Sequence, residues 1–325
     1  MSAATQYYTI TILVYVCANV IAAWGLDLQF GVTGVLNFAF IVFQAVGAYT
    51  AGVLSLGPAS SSGGFQTYVG GARLPFPLPI LGAMLAGAAL AAVVGLITLR
   101  RLRSDYQAMV MLVVSVVATI VVTAKTGLVN GAAGLSLIAN PMSGISGISR
   151  QAQGWIFVAF CWAVVVAVGA MMYAIVYSPH GRVLRAVREN EHALEALGRS
   201  ATRCRLEVFI IGGALAGLSG ALLVEFVGAW APSGWLYPET FVFFTAVIVG
   251  GRGSVLGVAI GAALIGVGIQ QAVQYMPIGS DPTVLAAAEW VITGVITLVF
   301  LWARPQGLLP ERRRRFVTSS GAARR

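Results

Sequence analysis

Long apolar runs alternate with short polar interruptions along the whole chain. The runs near 8–28, 31–56, 78–99, 106–124, 154–177, 206–228 and 285–302 approach or exceed the length needed to span a bilayer. A hydrocarbon core about 30 Å thick takes about 20 helical residues. Residues 241–249 are too few to cross alone, and they lead into GGRGSVLGVAIGAALIG at 250–266. A Gly-Gly-x-Gly turn between two apolar halves predicts a broken or re-entrant segment, which is tolerated where protein or a cavity covers its backbone. Counted with 250–266, there are eight full-length runs plus the short one. The predicted fold is all-α: one polytopic membrane domain over 1–325, with about 8–10 transmembrane helices including broken or re-entrant segments. Each half carries a glycine-interrupted apolar stretch, Gly31–Gly47 and Gly250–Gly266. Interrupted spans in corresponding halves point to an inverted repeat with a pathway between them.

The polar positions inside the runs come next. Asp27 and Gln29 are expected to end the first run. Asn37 and Gln44 are seven apart and are expected to share one helix face. Polar side chains at membrane depth either line a pathway or hydrogen-bond a neighbouring helix, and the residues alone leave both readings open. Small residues crowd GGALAGLSGALLVE at 212–225, as close helix packing in lipid requires. Trp230, Trp235 and Tyr237 are expected to form an aromatic belt at a membrane surface. The glycine-rich stretches 57–79 and 125–150 read as external loops.

The longest charged interruption is SPHGRVLRAVRENEHALEALGRSATRCR, residues 178–205. Pro179 and Gly198 suit the two ends of a helix over Gly181–Gly198. Arg185 and Glu189 are spaced to pair along it, and Leu184, Val187, Leu194 and Leu197 form a narrow apolar stripe. The stretch is either a solvated loop with a surface helix or a docking helix that lays its stripe into a groove on a cytoplasmic partner.

Composition sharpens the class. Hydrophobic residues make up 58% of 325 and charged residues 10%, outside the soluble range. The net charge of +9 is not a nucleic-acid signal. The basic residues gather at Arg100, Arg101 and Arg103, at Arg182–Arg205, and at Arg304 with Arg312–Arg315 in a basic tail over 303–325. Short segments of this kind face the cytoplasm. Lys125 is the only lysine and follows no glycine, so a phosphate-cradling P-loop is absent and the chain is not expected to hydrolyse ATP. His180 and His192 lie in the charged loop, and Cys17, Cys161 and Cys204 are scattered, so no catalytic group or metal site is expected. Asp27, Glu225 and Glu289 are the few carboxylates at depth, too few for the ionisable relay of a coupled carrier.

Four stretches then carry a resemblance. LDLQFGVTGVLNFAFIVFQAVGAYTAGVL (26–54) resembles the N-terminal signature of LivM-type permease subunits of branched-chain amino-acid ABC importers. SPHGRVLRAVRENEHALEALG (178–198) resembles that family's cytoplasmic coupling loop, and GGRGSVLGVAIGAALIG and RPQGLLP (304–310) resemble its late glycine motif and C-terminal close. The motifs keep the family's order from about residue 26 to 310. Ala39–Phe40 departs from the Gly-His usual after Asn-Phe, and Val258 stands where the family often has proline.

The resemblance implies a bacterial inner-membrane permease that pairs with a second, related permease subunit. It implies two cytoplasmic ATPase subunits that bind ATP and magnesium, and an extracytoplasmic binding protein that delivers cargo. This chain would bind membrane lipid but no nucleic acid and no cofactor. ATPase coupling would fall on Gly181, Arg182, Arg185, Ala186, Arg188, Glu189, Ala193, Leu197 and Gly198. Gly181 and Gly198 would fix the ends, Arg185 and Glu189 brace the helix, and Ala193 and Leu197 offer the buried face. Asn37 and Gln44 would line the substrate pathway. Alternatives are the same machine carrying urea, short amides or another small polar solute, a self-sufficient secondary transporter or channel, and a non-transporting scaffold.

Overall fold

A computed structural model describes residues 3–58, 65–101, 104–144, 149–274 and 282–311. The expected Arg103 and the basic run Arg312–Arg315 lie outside them. The elements in order are α1 (Ala3–Leu26), α2 (Phe40–Ser55), α3 (Leu78–Arg101), α4 (Ser104–Ala124), α5 (Arg150–Tyr177), α6 (Pro179–Glu189), α7 (Glu191–Ala196), α8 (Ala201–Val227), α9 (Pro238–Gly250), α10 (Val255–Ala263) and α11 (Pro282–Ala303). Two stretches of π-helix extend them: Asp27–Val32 continues α1, and Leu264–Ile269 continues α10 into Gln270–Gln274. The protein is an all-α polytopic membrane protein. Among the described residues six helical stretches are long and apolar enough to cross: Ala4–Val32, Leu78–Arg100, Tyr106–Ala124, Arg150–Tyr177, Ala201–Val227 and Val255–Val273.

The most buried of these is α8, which packs against α1, α2 and α3. Its sequence explains the position. A Cβ added to Gly217 would run into the carbonyl of Ala83 on α3, and one added to Gly47 on α2 would run into the backbone of Gly217. Only glycine lets three helices approach this closely, and in lipid such contact substitutes for a hydrophobic driving force. By contrast α4 leaves most of its apolar side chains outward.

The first run does not end at Asp27 and Gln29, as its polarity predicted. The helix passes through both as π-helix, and both are fully buried. The reason is that Gln29 and one oxygen of Asp27 have partners inside the bundle, although Asp27 Oδ2 has no hydrogen-bond partner among the described residues. Asp27 Oδ1 accepts from the Gly253 amide at 2.9 Å, and Gln29 Nε2 donates to the Phe209 carbonyl at 3.0 Å. A polar side chain costs far less inside a span when a neighbouring group satisfies it.

Two helices are too short to cross, α2 with 16 residues and α9 with 13. At 1.5 Å per residue they reach about 24 and 20 Å. Their first turns meet within the bundle: the Ile41 amide donates to Thr240 Oγ1 at 3.3 Å, and the rings of Phe40 and Phe243 pack edge to face at 5.8 Å. From there α9 runs to the end that carries Arg185 and Arg188, called here the basic end, and α2 runs to the opposite one. The short run at 241–249 is thus a half-length helix, joined through the turn at 251–254 to α10, as the glycine pattern predicted.

At the opposite end the loops close over one another. Leu135 and Trp230 form a backbone bridge, and Tyr68 bridges Val129. Trp235 is not part of an aromatic belt. It is 1% exposed, and its indole donates to the Tyr49 hydroxyl at 3.1 Å. The loop that carries it dips into the bundle to reach the start of α9. Tyr237 does remain exposed.

Candidate functional site

The charged stretch 178–205 lies at the basic end and folds as two helices rather than one. Ser178 caps α6, its hydroxyl accepting from the Gly181 amide at 3.2 Å, and Pro179 takes the first helical position. A second cap interrupts the predicted helix. Asn190 adopts extended backbone and its side chain accepts from the Ala193 amide at 3.0 Å, which starts α7. Asparagine competes with the helix through such local bonds. Gly198 closes the segment with φ +78°, a left-handed conformation that glycine adopts freely. Ser200 then caps α8.

The apolar stripe faces inward. Leu184, Val187 and Leu194 are 0%, 2% and 4% exposed, buried in the chain's own core. They are therefore unavailable for a partner's groove, contrary to the docking expectation drawn from the stripe. The physical reason is the break at Asn190, which lets α6 and α7 fold back onto the membrane helices. Leu197 alone of the stripe projects, 80% exposed, and Arg182, Glu189, Ala193 and Gly198 are exposed with it. Ala186 is half-buried and Gly181 is buried against the end of α5.

Arg185 and Arg188 turn toward the membrane domain rather than along the helix surface. Arg185 donates to the Val176 carbonyl at 2.6 Å, and its Nε lies 2.6 Å from Glu311 Oε1. Arg188 Nη2 lies 3.2 Å from Glu311 Oε2, and its Nη1 donates to the carbonyl of Gly31. Glu311 was not singled out in the sequence, because it follows the RPQGLLP motif and lies 123 residues from Arg188.

The same place holds both glycine interruptions. Gly31 packs against the Gly253 amide and Gly34 against the Arg188 side chain. The Arg252 guanidinium lies 5.5 Å from the centre of the Phe30 ring, close enough for a cation–π contact. Phe30 in turn meets Phe244 of α9 at 5.0 Å. The C-terminal segment completes the assembly: the Leu308 and Leu309 amides donate to the Val249 and Gly250 carbonyls, 2.7 and 3.1 Å, and occupy acceptors that the end of α9 leaves open. The two interrupted stretches, the charged segment and the chain's last described residues form one contact network.

The polar pair predicted for a pathway is separated. Asn37 lies in the non-helical stretch before α2, so it shares no helix face with Gln44. It is fully buried, donates to Gln29 Oε1 at 2.9 Å and accepts from the Ala39 amide at 3.1 Å. Gln44 lies on α2, donates to Ser219 Oγ at 2.8 Å, and borders a cavity of about 470 Å³. Tyr15, Asn19, Trp230, Glu239 and Gln270 share that cavity with apolar Ile41, Leu223, Val242 and Phe243. Sequence spacing missed these partners because they come from six separate segments. The Trp230 indole has no hydrogen-bond partner among the described residues.

A bundle with two half-length helices, a polar cavity beside their meeting point and a capped charged segment at one end defines a membrane transport permease. The chain belongs to the family described as the branched-chain amino acid transport system / permease component, whose model matches residues 8–301. It is the permease subunit of an ATP-binding cassette importer, a transport component. It is 27% identical over 322 residues to the probable branched-chain amino acid transport permease protein LivM of Methanocaldococcus jannaschii, covering 90% of each chain. It is 29% identical to the high-affinity branched-chain amino acid transport system permease protein LivM of Escherichia coli, over 97% of this chain and 73% of that one. A stretch of 111 residues is 36% identical to the LivH permease of Salmonella typhimurium, covering 34% of this chain and 35% of that one. No solved structure matches.

Proposed function

We propose that this permease lies in a bacterial inner membrane, pairs with a second, related permease subunit and forms with it a pathway for branched-chain amino acids. The similarity to both LivM and LivH proteins supports the pairing and the cargo. Two ATPase subunits dock at the basic end, which faces the cytoplasm by the positive-inside rule. They carry the ATP and magnesium, and this chain holds neither. A binding protein delivers cargo at the opposite end, above the Gln44 cavity.

The observation that carries the reading is the two-sided character of 178–205. Its inner side chains are fixed to the membrane domain, while Leu197 is left in solvent at its tip. An exposed leucine at the tip of a capped helical segment offers an apolar side chain to a groove on a partner. When ATP draws the ATPases together, α6 and α7 move with them. The motion passes to the turns beneath, and the meeting of α2 with α9 opens or closes the path. Alternating access of this kind needs rigid elements hinged at broken helices.

Affinity purification from native membrane tests the proposal. Two ATPase subunits and a second permease should accompany the chain, and the vesicle-reconstituted complex should take up leucine only with ATP and the binding protein. A single species that transports alone would overturn it.

A further inference from the structure

The charged segment touches the membrane domain through few polar contacts, and one residue sits at their centre. Glu311 places one carboxylate oxygen 2.6 Å from Arg185 and the other 3.2 Å from Arg188. It is 13% exposed and both arginines are 23% exposed, so these pairs are shielded from most solvent screening. A Cβ on Gly253 would lie 3.2 Å from the Glu311 carboxyl carbon, so the same carboxylate rests on the turn between α9 and α10. Two residues earlier the chain is fixed to the end of α9 through Leu309. Glu311 therefore stands between the charged segment and the second helix break.

Arg188 makes the corresponding contact to the first break. It donates to the Gly31 carbonyl and packs its stem on Gly34. The two breaks are joined to each other by the bond from the Gly253 amide to Asp27. A displacement of α6 thus reaches the first break directly through Arg188, and the second through the Glu311 carboxylate.

We propose that Glu311 is a positioning residue for coupling, which locks Arg185 and Arg188 to the second helix break while Arg188 holds the first, so that movement of the charged segment reaches α2 and α9 together. The C-terminal segment is then a mechanical part of the transporter. Glu311 is 13% exposed and pairs with α6, whereas Leu197 is 80% exposed, so Glu311 acts between docking and pathway rather than in docking itself. The proposal rests on the ATPase reading given above.

The test uses the assembled complex in vesicles, with uptake and ATP hydrolysis measured together. Glu311→Gln keeps the shape and removes the charge. It should leave the ATPases bound and hydrolysing, and lower uptake per ATP hydrolysed by about fivefold or more. Glu311→Asp restores the charge and should recover most of that ratio. A Glu311→Gln complex with an unchanged ratio overturns the proposal while leaving ATPase docking intact. If the wild-type chain carries no ATPases, the functional reading fails and this inference falls with it. Amide hydrogen exchange on the wild-type complex, with and without a non-hydrolysable ATP analogue, decides the matter even if Glu311→Gln does not assemble. Residues 179–189 and 250–254 should change protection together, and a response of 179–189 alone overturns the proposal.

Discussion

Asp27 Oδ1 accepts a hydrogen bond from the backbone amide of Gly253 at 2.9 Å, across 226 residues of sequence. This bond joins the π-helical end of α1 to the turn between α9 and α10, and so ties the two glycine-interrupted stretches to each other. Replacing Asp27 with Leu removes the acceptor and leaves the Gly253 amide buried without a partner. The expected cost is about 1–3 kcal/mol, read as a lower thermal midpoint of the detergent-purified protein. Asp27→Asn keeps an acceptor oxygen and should retain most of the stability. Equal midpoints for Asp27→Leu and wild type would show that the bond contributes nothing.

Leu197 and Leu194 separate docking from folding. Leu197 is 80% exposed, so Leu197→Asp should change stability by no more than about 0.5 kcal/mol. It should nevertheless strip the ATPases from the purified complex. Leu194 is 4% exposed, and Leu194→Asp buries an unpaired charge that should lower the folded yield. Co-purification of ATPases with Leu197→Asp at wild-type levels would remove Leu197 from the docking surface.

Asn37 and Gln44 should now behave differently from each other. Asn37 bridges Gln29 and the Ala39 amide, so Asn37→Leu leaves two buried polar groups without partners and should reduce the amount of folded protein. Gln44 borders the cavity, and Gln44→Leu loses one bond to Ser219, at about 1 kcal/mol. The complex should assemble, with the concentration dependence of leucine uptake shifted. Uptake by Gln44→Leu with an unaltered half-saturation concentration would place the pathway elsewhere.

Gly217 is one of the tight points of the central packing. A valine there meets the Ala83 carbonyl and Gly87 Cα on α3. Overpacking of this kind costs about 1–3 kcal/mol. The Gly217→Val protein should melt earlier in detergent. An unchanged melting curve would mean that α3 and α8 can spread at no cost.

Much of this was legible along the chain. The apolar runs foretold the long helices, and the Gly-Gly-x-Gly turn foretold the re-entry near 250, because burial in lipid and glycine's freedom are local properties. The start at Pro179 and the end at Gly198 were readable for the same reason, whereas the Ser178 cap emerged only from the structure. The split at Asn190 was carried by one residue whose side chain could equally have pointed to solvent. The inward turn of Leu184, Val187 and Leu194 was not legible at all, because an amphipathic stripe looks the same whether its own chain or a partner covers it.

The sequence by itself determined the class: a polytopic helical membrane protein with a charged segment at one end and glycine breaks in each half. Composition and periodicity suffice for that, because the bilayer admits few solutions to backbone hydrogen bonding. Tertiary structure decided which distant residues meet. Asp27 with Gly253, Arg188 with Gly31, and Glu311 between Arg185 and Arg188 are contacts of side chains with backbone or charge far away in sequence. No spacing rule encodes them, since each depends on how the helices are brought together and on the low-dielectric interior that makes an unpaired polar group costly.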